Sequence, residues 1–243
     1  MQFPKQKDDY GACDVTYAEA RRKGGVLAFR YKFRASVAAE LIKKYGIERP
    51  RVIDFGCADG LTLQEMKKQI ADGSFSGVEI TDELVASAQA KGFSVSQGDI
   101  TDLSSLFGNE SHDVITALAV LEHLPEPEAA GKEAFRILKP GGLLIVTCPD
   151  PKWELIAKTV KLFKDTAHYT NFNKLRFREF GSACGFSLDS YTRFMFDPVA
   201  FLPYLKIPVN VSFAKHFESV LCSLKIFDWC FVNQVAVFQK PLL

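Results

Sequence analysis

Residues 52–60 read VIDFGCADG, an apolar run that ends in an acid and leads through Gly56 and Gly60 into the helix-forming stretch LTLQEMKKQIA. The β-branched start favours an extended strand. Glycine lets the backbone turn sharply and come close to a ligand, and the first amides of the following helix have no internal partner. A strand, a glycine loop and a helix start in that order direct the chain toward an open α/β sheet, where ligands bind beyond the carboxyl ends of the strands.

The flanking pattern agrees. RVIDF (51–55), SGVEI (76–80), FSVSQ (93–97), DVITALAV (113–120) and LLIVTC (143–148) read as strands. Helices are predicted over 61–71, from Thr81-Asp82 onward with a side-chain cap at its start, and over 127–138. KPGG (139–142) is expected to turn the chain into the fifth strand. DVITALAV is apolar except for Thr116, as a strand buried on both faces should be. Alternating strands and helices imply a doubly wound, mostly parallel sheet. Upstream, one helix is predicted over 17–45, ended by Gly46. Downstream, helices fit Trp153 to Phe163 and Asn173 to Cys184, and strands fit 186–196 and 232–240. Those two strands flank an apolar insert, 197–231, and would add an antiparallel edge to give seven strands. The chain therefore reads as a single domain over 1–243: a helical N-terminal cap (1–49), a ligand-binding half (50–150), and a second half (151–243) that carries the insert.

The loop spacing narrows the ligand. A dinucleotide loop has the form G-x-G-x-x-G. Here only Gly56 and Gly60 bracket Cys57, Ala58 and Asp59, and Asp54 stands just before them. Carboxylates beside a pyrophosphate repel it, by about a kcal/mol or more each at partial exposure. Beside a nucleoside that carries an ammonium and a sulfonium they attract. Glu79, at the end of the second strand, can accept two ribose hydroxyls. Asp99, after the third, can accept from an adenine amine, with Ile80 and Ile100 placed to sandwich the ring.

With these residues in place, the chain resembles the class I S-adenosylmethionine-dependent methyltransferases of the type 11 group. VIDFGCADG resembles that family's first motif, Glu79 its ribose-binding acid and GDI (98–100) its adenine-contacting stretch. ALAVLEHLPEP (117–127) and FRILKPGGLLIVTCPDP (135–151) resemble its later motifs. The resemblance implies a Rossmann-like fold with S-adenosylmethionine as cofactor. It implies cofactor contacts at Asp54, Gly56, Cys57, Ala58, Gly60, Glu79, Ile80, Asp99, Ile100 and Ala117. It implies methyl transfer without naming the acceptor.

Methyl transfer to oxygen needs a proton removed, often by histidine. Of the four histidines, His168 in DTAHYTNF and His123 after the fourth strand are the candidate bases, while His112 and His216 are expected at the surface. Ubiquinone-biosynthesis and small-RNA methyltransferases carry a Glu-x-x-Glu-His segment and a later His that bind a divalent ion. Glu122, His123 and His168 match three of those places, but Ala119 stands where the first Glu belongs, so no metal is expected.

Composition bears on the acceptor. With 30 Lys and Arg against 29 Asp and Glu, the net charge of +1 gives no global attraction for nucleic acid. The basic residues Arg21, Arg22, Lys23, Arg30, Lys32 and Arg34 concentrate on the early helix. The segment CPDP (148–151) lacks the arrangement that presents a flipped base, which argues against a nucleic-acid methyltransferase. A non-catalytic S-adenosylmethionine-binding module is the other alternative. The 21 Phe suggest an apolar pocket. A stripe in the insert (Phe213, Phe217, Val220, Leu221, Leu224, Phe227) is expected to pack on the sheet or a second copy, or to wall a pocket or a membrane-facing lid. The favoured acceptor is thus a small molecule, a sugar or a lipid-linked compound, methylated at oxygen. No apolar run reaches the roughly 18–20 residues of a membrane span, which limits membrane contact to the periphery. The N-terminus lacks a signal-peptide core, so a cytoplasmic location is expected, with the six scattered cysteines reduced.

Overall fold

The computed structural model describes residues 15–153, 168–196, 209–223 and 230–242, together with 155, 199, 202 and 207. Seven strands form one sheet: β1 (Arg51–Phe55), β2 (Ser74–Glu79), β3 (Ser94–Gln97), β4 (His112–Leu118), β5 (Leu138–Pro149), β6 (Ser187–Phe196) and β7 (Phe231–Gln239). Their order is β3-β2-β1-β4-β5-β7-β6. The first five strands pair in parallel. β7 runs antiparallel to both β5 and β6. The late hairpin forms the sheet edge, with the antiparallel strand one position in and β6 outermost.

Apolar side chains of alternate strand residues feed two cores, one on each face of the sheet. One face packs Val52, Val114, Leu143 and Val235 against α2 (Gly25–Lys44) and α3 (Leu61–Gln69). The other packs Ile53, Ile115, Leu144 and Phe238 against α5 (Pro127–Ile137), preceded in the chain by α4 (Asp82–Gln89), and against α6 (Lys174–Cys184). Much of the phenylalanine content is accounted for here: Phe172, Phe177, Phe180, Phe186 and Phe238 form a ring cluster beneath β7. Cys57, Cys148, Cys184 and Cys230 are buried.

Five local expectations change. The helix predicted over 17–45 is two helices, α1 (Val15–Arg22) and α2, because Gly24 and Gly25 both take positive φ and break the hydrogen-bond ladder. KPGG is not a turn ahead of β5 but an irregularity inside it: His112 pairs with Leu138, and two residues on, Val114 pairs with Leu143. Thr81 occupies the N-cap of α4, yet its side chain accepts no capping bond. His112 is buried rather than at the surface, stacked edge-on to Phe107 and near Ser111 Oγ, and burial pushes its pKa down to about 4. His216 is exposed. The helix predicted from Asn173 to Cys184 starts one residue later, because Asn173 is its N-cap, with its side chain accepting from the Arg176 amide. Of the helix predicted from Trp153 to Phe163 only Trp153 and Leu155 are described, and of the insert 197–231 the residues 199, 202, 207, 209–223, 230 and 231, the rest lying outside the described residues.

Candidate functional site

The carboxyl ends of β1, β2 and β4 meet at the glycine loop. After Phe55 the chain turns so that the Gly56 and Cys57 amides both donate to the Val78 carbonyl of β2, at 2.9 and 3.0 Å. Gly56 has φ 69°, and a Cβ there would lie 2.9 Å from Val120 Cγ2, so the loop can pass this close to the β4 edge only with glycine. Cys57 packs its sulfur against Gly77 of β2, where a Cβ would fall 2.4 Å away. Ala58 sits at φ 48°, a conformation that costs energy for a non-glycine residue. Its compensation is direct: the Ala58 amide donates to Glu79 Oε2 at 2.8 Å.

Glu79 therefore organises the loop. Its Oε1 also accepts from the Ile80 and Thr81 amides at 2.8 and 3.1 Å. Burial pushes its carboxyl up while the three amides pull it back down. A carboxylate offers about four lone-pair positions, and three of them are taken by these amides.

Asp54 is also buried and accepts from Thr116 Oγ1 at 2.6 Å. Burial raises its pKa to about 7, with Glu79 adding to the rise and Arg21 opposing it. Asp99 is half-buried and turns one oxygen onto the amide and hydroxyl of Thr101, at 2.9 and 2.7 Å. Ile80 is half-buried at the cleft, whereas Ile100 sinks into the core with Val78 and Leu103. Ala117 is fully buried inside β4, and the half-buried residues at that strand's end are Leu118, Ala119 and Val120.

Asp59 departs from the reading of it as a counter-charge for a ligand cation. It is 0% exposed and turned away from the cleft onto α1. Arg21 Nη2 donates to its Oδ1 at 2.5 Å, Arg22 Nε to its Oδ2 at 2.9 Å, and Lys91 Nζ to its carbonyl at 2.6 Å. With Asp59 neutralised from within the fold, Asp54 and Glu79 are the acids left beside the loop. The pairing of Arg21 and Arg22 was hidden in the sequence, because it joins residues nearly forty positions apart.

A second cluster lies just past β4. A 3-10 turn, Leu121–His123, brings Glu122 and His123 together with His168 from beyond β5. One ligand atom from each lies within 4.8 Å of the others. The two imidazoles meet edge to face, centroids 4.7 Å apart. The Tyr169 and Thr170 amides donate to the Glu122 carbonyl at 2.9 and 3.2 Å and hold the later segment across the turn. Glu122 is 2% exposed, and neither of its carboxylate oxygens has a hydrogen-bond partner among the described residues. The two candidate bases are thus neighbours joined by a buried acid.

In the insert, the side chains of Phe213 and Phe217 are described from the predicted stripe, on α7 (Val211–Ser223). Both are exposed and stacked at 6.4 Å, and Phe217 touches Phe196 at the end of β6. The face of α7 turned inward instead carries Ala214 and Glu218. Among the described residues no helix is long and apolar enough to cross a membrane.

Residues 53–146 match a family model described as a methyltransferase domain. Among curated relatives, the chain is 30% identical over 106 residues to a ubiquinone biosynthesis O-methyltransferase of Pseudomonas savastanoi, covering 41% of this chain and 44% of that protein. It is 30% identical over 118 residues to a trans-aconitate 2-methyltransferase of Methylobacterium radiotolerans, covering 48% and 45%. The chain thus spans less than half the length of these relatives. Among solved structures, a chain from the complex of the Haloferax volcanii Trm112 methyltransferase activator with a methyltransferase superposes with TM-score 0.66 at 19% identity, covering 93% of this chain and 96% of that one. A Thermotoga maritima S-adenosylmethionine-dependent methyltransferase, described as a possible histamine N-methyltransferase, gives 0.62 at 19% identity, covering 93% and 96%. These two are likenesses of fold. Sheet order, glycine loop and family match together define a Rossmann-like methyltransferase domain. Residues 53–146 thus carry a class I S-adenosylmethionine-dependent methyltransferase domain, and S-adenosylmethionine is the cofactor that this domain and fold imply.

Proposed function

We propose that the chain transfers the methyl group of S-adenosylmethionine to an oxygen of a small acceptor. The observation that carries this reading is the Glu122–His123–His168 cluster, set past the end of β4 while the acid-lined glycine loop lies past the end of β1. Asp54, Gly56, Cys57, Ala58, Gly60, Glu79, Ile80, Asp99, Ile100 and the β4 end near Ala117 form the cofactor side. Glu79 and the loop amides hold the ribose and the amino-acid part. An imidazole of the cluster, His168 first and His123 second, takes the proton of the acceptor hydroxyl. The oxygen then forms its bond to the methyl carbon as the carbon–sulfur bond breaks, the bonding pair stays on sulfur, and the sulfonium becomes a neutral thioether. Buried Glu122 stabilises the imidazolium that results. Because the sulfonium is already a good leaving group, much of the acceleration comes from holding the reactants in line.

The names of the relatives support oxygen as the acceptor atom, since the ubiquinone-pathway enzyme is an O-methyltransferase. Arg21 and Arg22 are bound to Asp59, which removes two cations from the basic surface that a nucleic-acid reading requires. The exposed Phe213–Phe217 pair supports an apolar or lipid-linked acceptor as the wider alternative.

A second reading rests on Glu122. A buried carboxylate without a hydrogen-bond partner among the described residues, with two imidazoles beside it, fits a divalent ion that Glu122, His123 and His168 would hold, although Ala119 removes a fourth ligand. Such an ion would supply positive charge to stabilise the deprotonated acceptor oxygen, and Glu122, His123 and His168 would all be its ligands, neither imidazole serving as base.

Calorimetry tests the cofactor half of the proposal. S-adenosylmethionine or its demethylated product should bind, and NAD should bind at least about tenfold more weakly, following the charge argument at Asp54 and Glu79. Micromolar binding of NAD with no binding of either S-adenosyl ligand would falsify it.

A further inference from the structure

Arg34 lies midway along α2, the helix that crosses one face of the sheet. Its Nη2 donates to Asn233 Oδ1 at 3.0 Å. Asn233 is buried and stands opposite Pro149 in the β5–β7 register, so the guanidinium is anchored at the carboxyl end of β5, the edge of the sheet where α/β ligands bind. Its Nε is buried and has no hydrogen-bond partner among the described residues. No described carboxylate pairs with it either, in contrast to Arg21, Arg22, Arg136, Arg176 and Arg193. Buried polar groups are nearly always partnered, and a half-buried cation without an acid is costly.

The surroundings show where that unused donor lies. The β4–β5 register sets Thr147 beside Leu118, and Pro149 lies two residues on opposite Asn233, so the Arg34 anchor stands at the strand end next to the turn that carries Glu122. Burial pushes the Cys148 thiol between them up, Glu122 adds to the rise and Arg34 opposes it. Arginine presents Nε and one Nη proton as a side-on edge that matches the two oxygens of a carboxylate. With one Nη2 proton on Asn233, the Nε edge is the part left over.

We propose that Arg34 binds a carboxylate of the methyl acceptor, which makes the acceptor a hydroxy acid whose hydroxyl is presented to the Glu122–His123–His168 cluster. The inference rests on the methyl-transfer reading above and narrows its substrate class. A carboxylate fits better than a phosphate ester, because a single guanidinium neutralises a monoanion but leaves a dianion with uncompensated charge in a half-buried site.

The test is a calorimetric panel on the full chain, with and without S-adenosylhomocysteine: glycolate, 3-hydroxybenzoate and 4-hydroxybenzoate, each against its neutral amide. At least one acid should bind about tenfold or more tighter than its amide, as a charge-assisted pair requires. Arg34→Gln should bring acid and amide within about twofold, and Arg34→Lys should retain part of the preference. Asn233→Asp, which supplies Arg34 with an internal carboxylate, should weaken acid binding about tenfold and decides the matter even if Arg34→Gln fails to fold. A purely structural Arg34 would lower the melting temperature in Arg34→Gln and leave the acid-to-amide ratio unchanged. Acids and amides bound alike by the wild type, no acid bound at all, or a ratio that survives both substitutions would overturn the proposal. Failure of S-adenosylhomocysteine to bind would count against the cofactor reading instead, and the acid-to-amide ratio is read independently of it.

Discussion

Glu79 carries two jobs that one substitution separates only in part. Its oxygens hold the strained Ala58 amide and the start of the next helix, and the same carboxylate faces the ribose in the proposed site. Replacing it by alanine should weaken S-adenosylhomocysteine by roughly 10–100-fold, taking about 1.5–3 kcal/mol for charge-assisted hydrogen bonds. Glu110→Ala, at an exposed loop contact to Lys240, should stay within about twofold, and calorimetry on both variants makes the comparison. At the second cluster, His168→Ala should lower turnover by about 10²–10⁴-fold with cofactor affinity intact if the imidazole is the base. A matching loss on adding EDTA to the wild type would instead assign it to a metal. Unchanged turnover in both experiments would leave positioning as the whole of the catalysis.

Two elements are fastened by buried acids, and their energetics differ. α1 is held on the glycine loop by Asp59, which is fully buried between Arg21, Arg22 and Lys91. Removing a buried acid leaves Arg21 uncompensated, so Asp59→Ala should cost about 3 kcal/mol in urea unfolding. Arg22, whose side chain is 43% exposed, should cost less than about 1 kcal/mol when changed to alanine. α7 is fastened by Glu218, which accepts from the Phe196 amide at the end of β6 at 2.5 Å. Burial raises its pKa to about 7. An acid with a raised folded-state value binds its proton more tightly when folded. Its contribution is therefore complete below the unfolded value near 4 and is lost as pH rises through about 7. Glu218→Gln keeps an acceptor for the Phe196 amide and removes the titration. The variant should show a flatter thermal midpoint between pH 5 and 8, a window spanning the raised value, and at pH 8 should match or exceed the wild type. A pH profile identical to the wild type's would remove Glu218 from this role.

Across the whole molecule, the loop, the acid at the end of β2 and the cluster past β4 belong to one cooperative sheet, so a ligand of that edge should stabilise the entire fold. S-adenosylhomocysteine at about a hundredfold over its dissociation constant should add about 2.7 kcal/mol. For a domain of this size that is a rise of roughly 5–10 °C in melting temperature. NAD at the same concentration, bound at least about tenfold more weakly, should add no more than about 1.4 kcal/mol and so about half that rise or less. In the free protein burial pushes Asp54 up to about 7 in the same direction as Glu218, so part of the fall in stability with rising pH should persist in Glu218→Gln and shrink further when Asp54→Asn is added.

The alternation of apolar runs, the glycine loop and the acids at strand ends were legible in the sequence, because each depends on local periodicity or on backbone geometry within a few residues. They determined that β1 to β5 run parallel and the class of cofactor, while the strand order came from the tertiary structure. Helix and strand ends shifted where nearby glycines or the long irregularity in β5 outweighed side-chain pattern. What the tertiary structure alone decided is pairing at long range. Asp59 reads as a ligand-facing acid until α1 folds over it, and His112 reads as a surface residue until Phe107 covers it. Arg34 reads as one of six basic residues on an early helix until its guanidinium is seen anchored on Asn233 of β7, with no described carboxylate paired to it. Glu122 reads as an ordinary helix-turn glutamate until packing buries it and brings His168 beside it from beyond β5. A charge's role depends on what lies within a few ångströms of it, and for these residues the deciding neighbours come from elements far away in the chain.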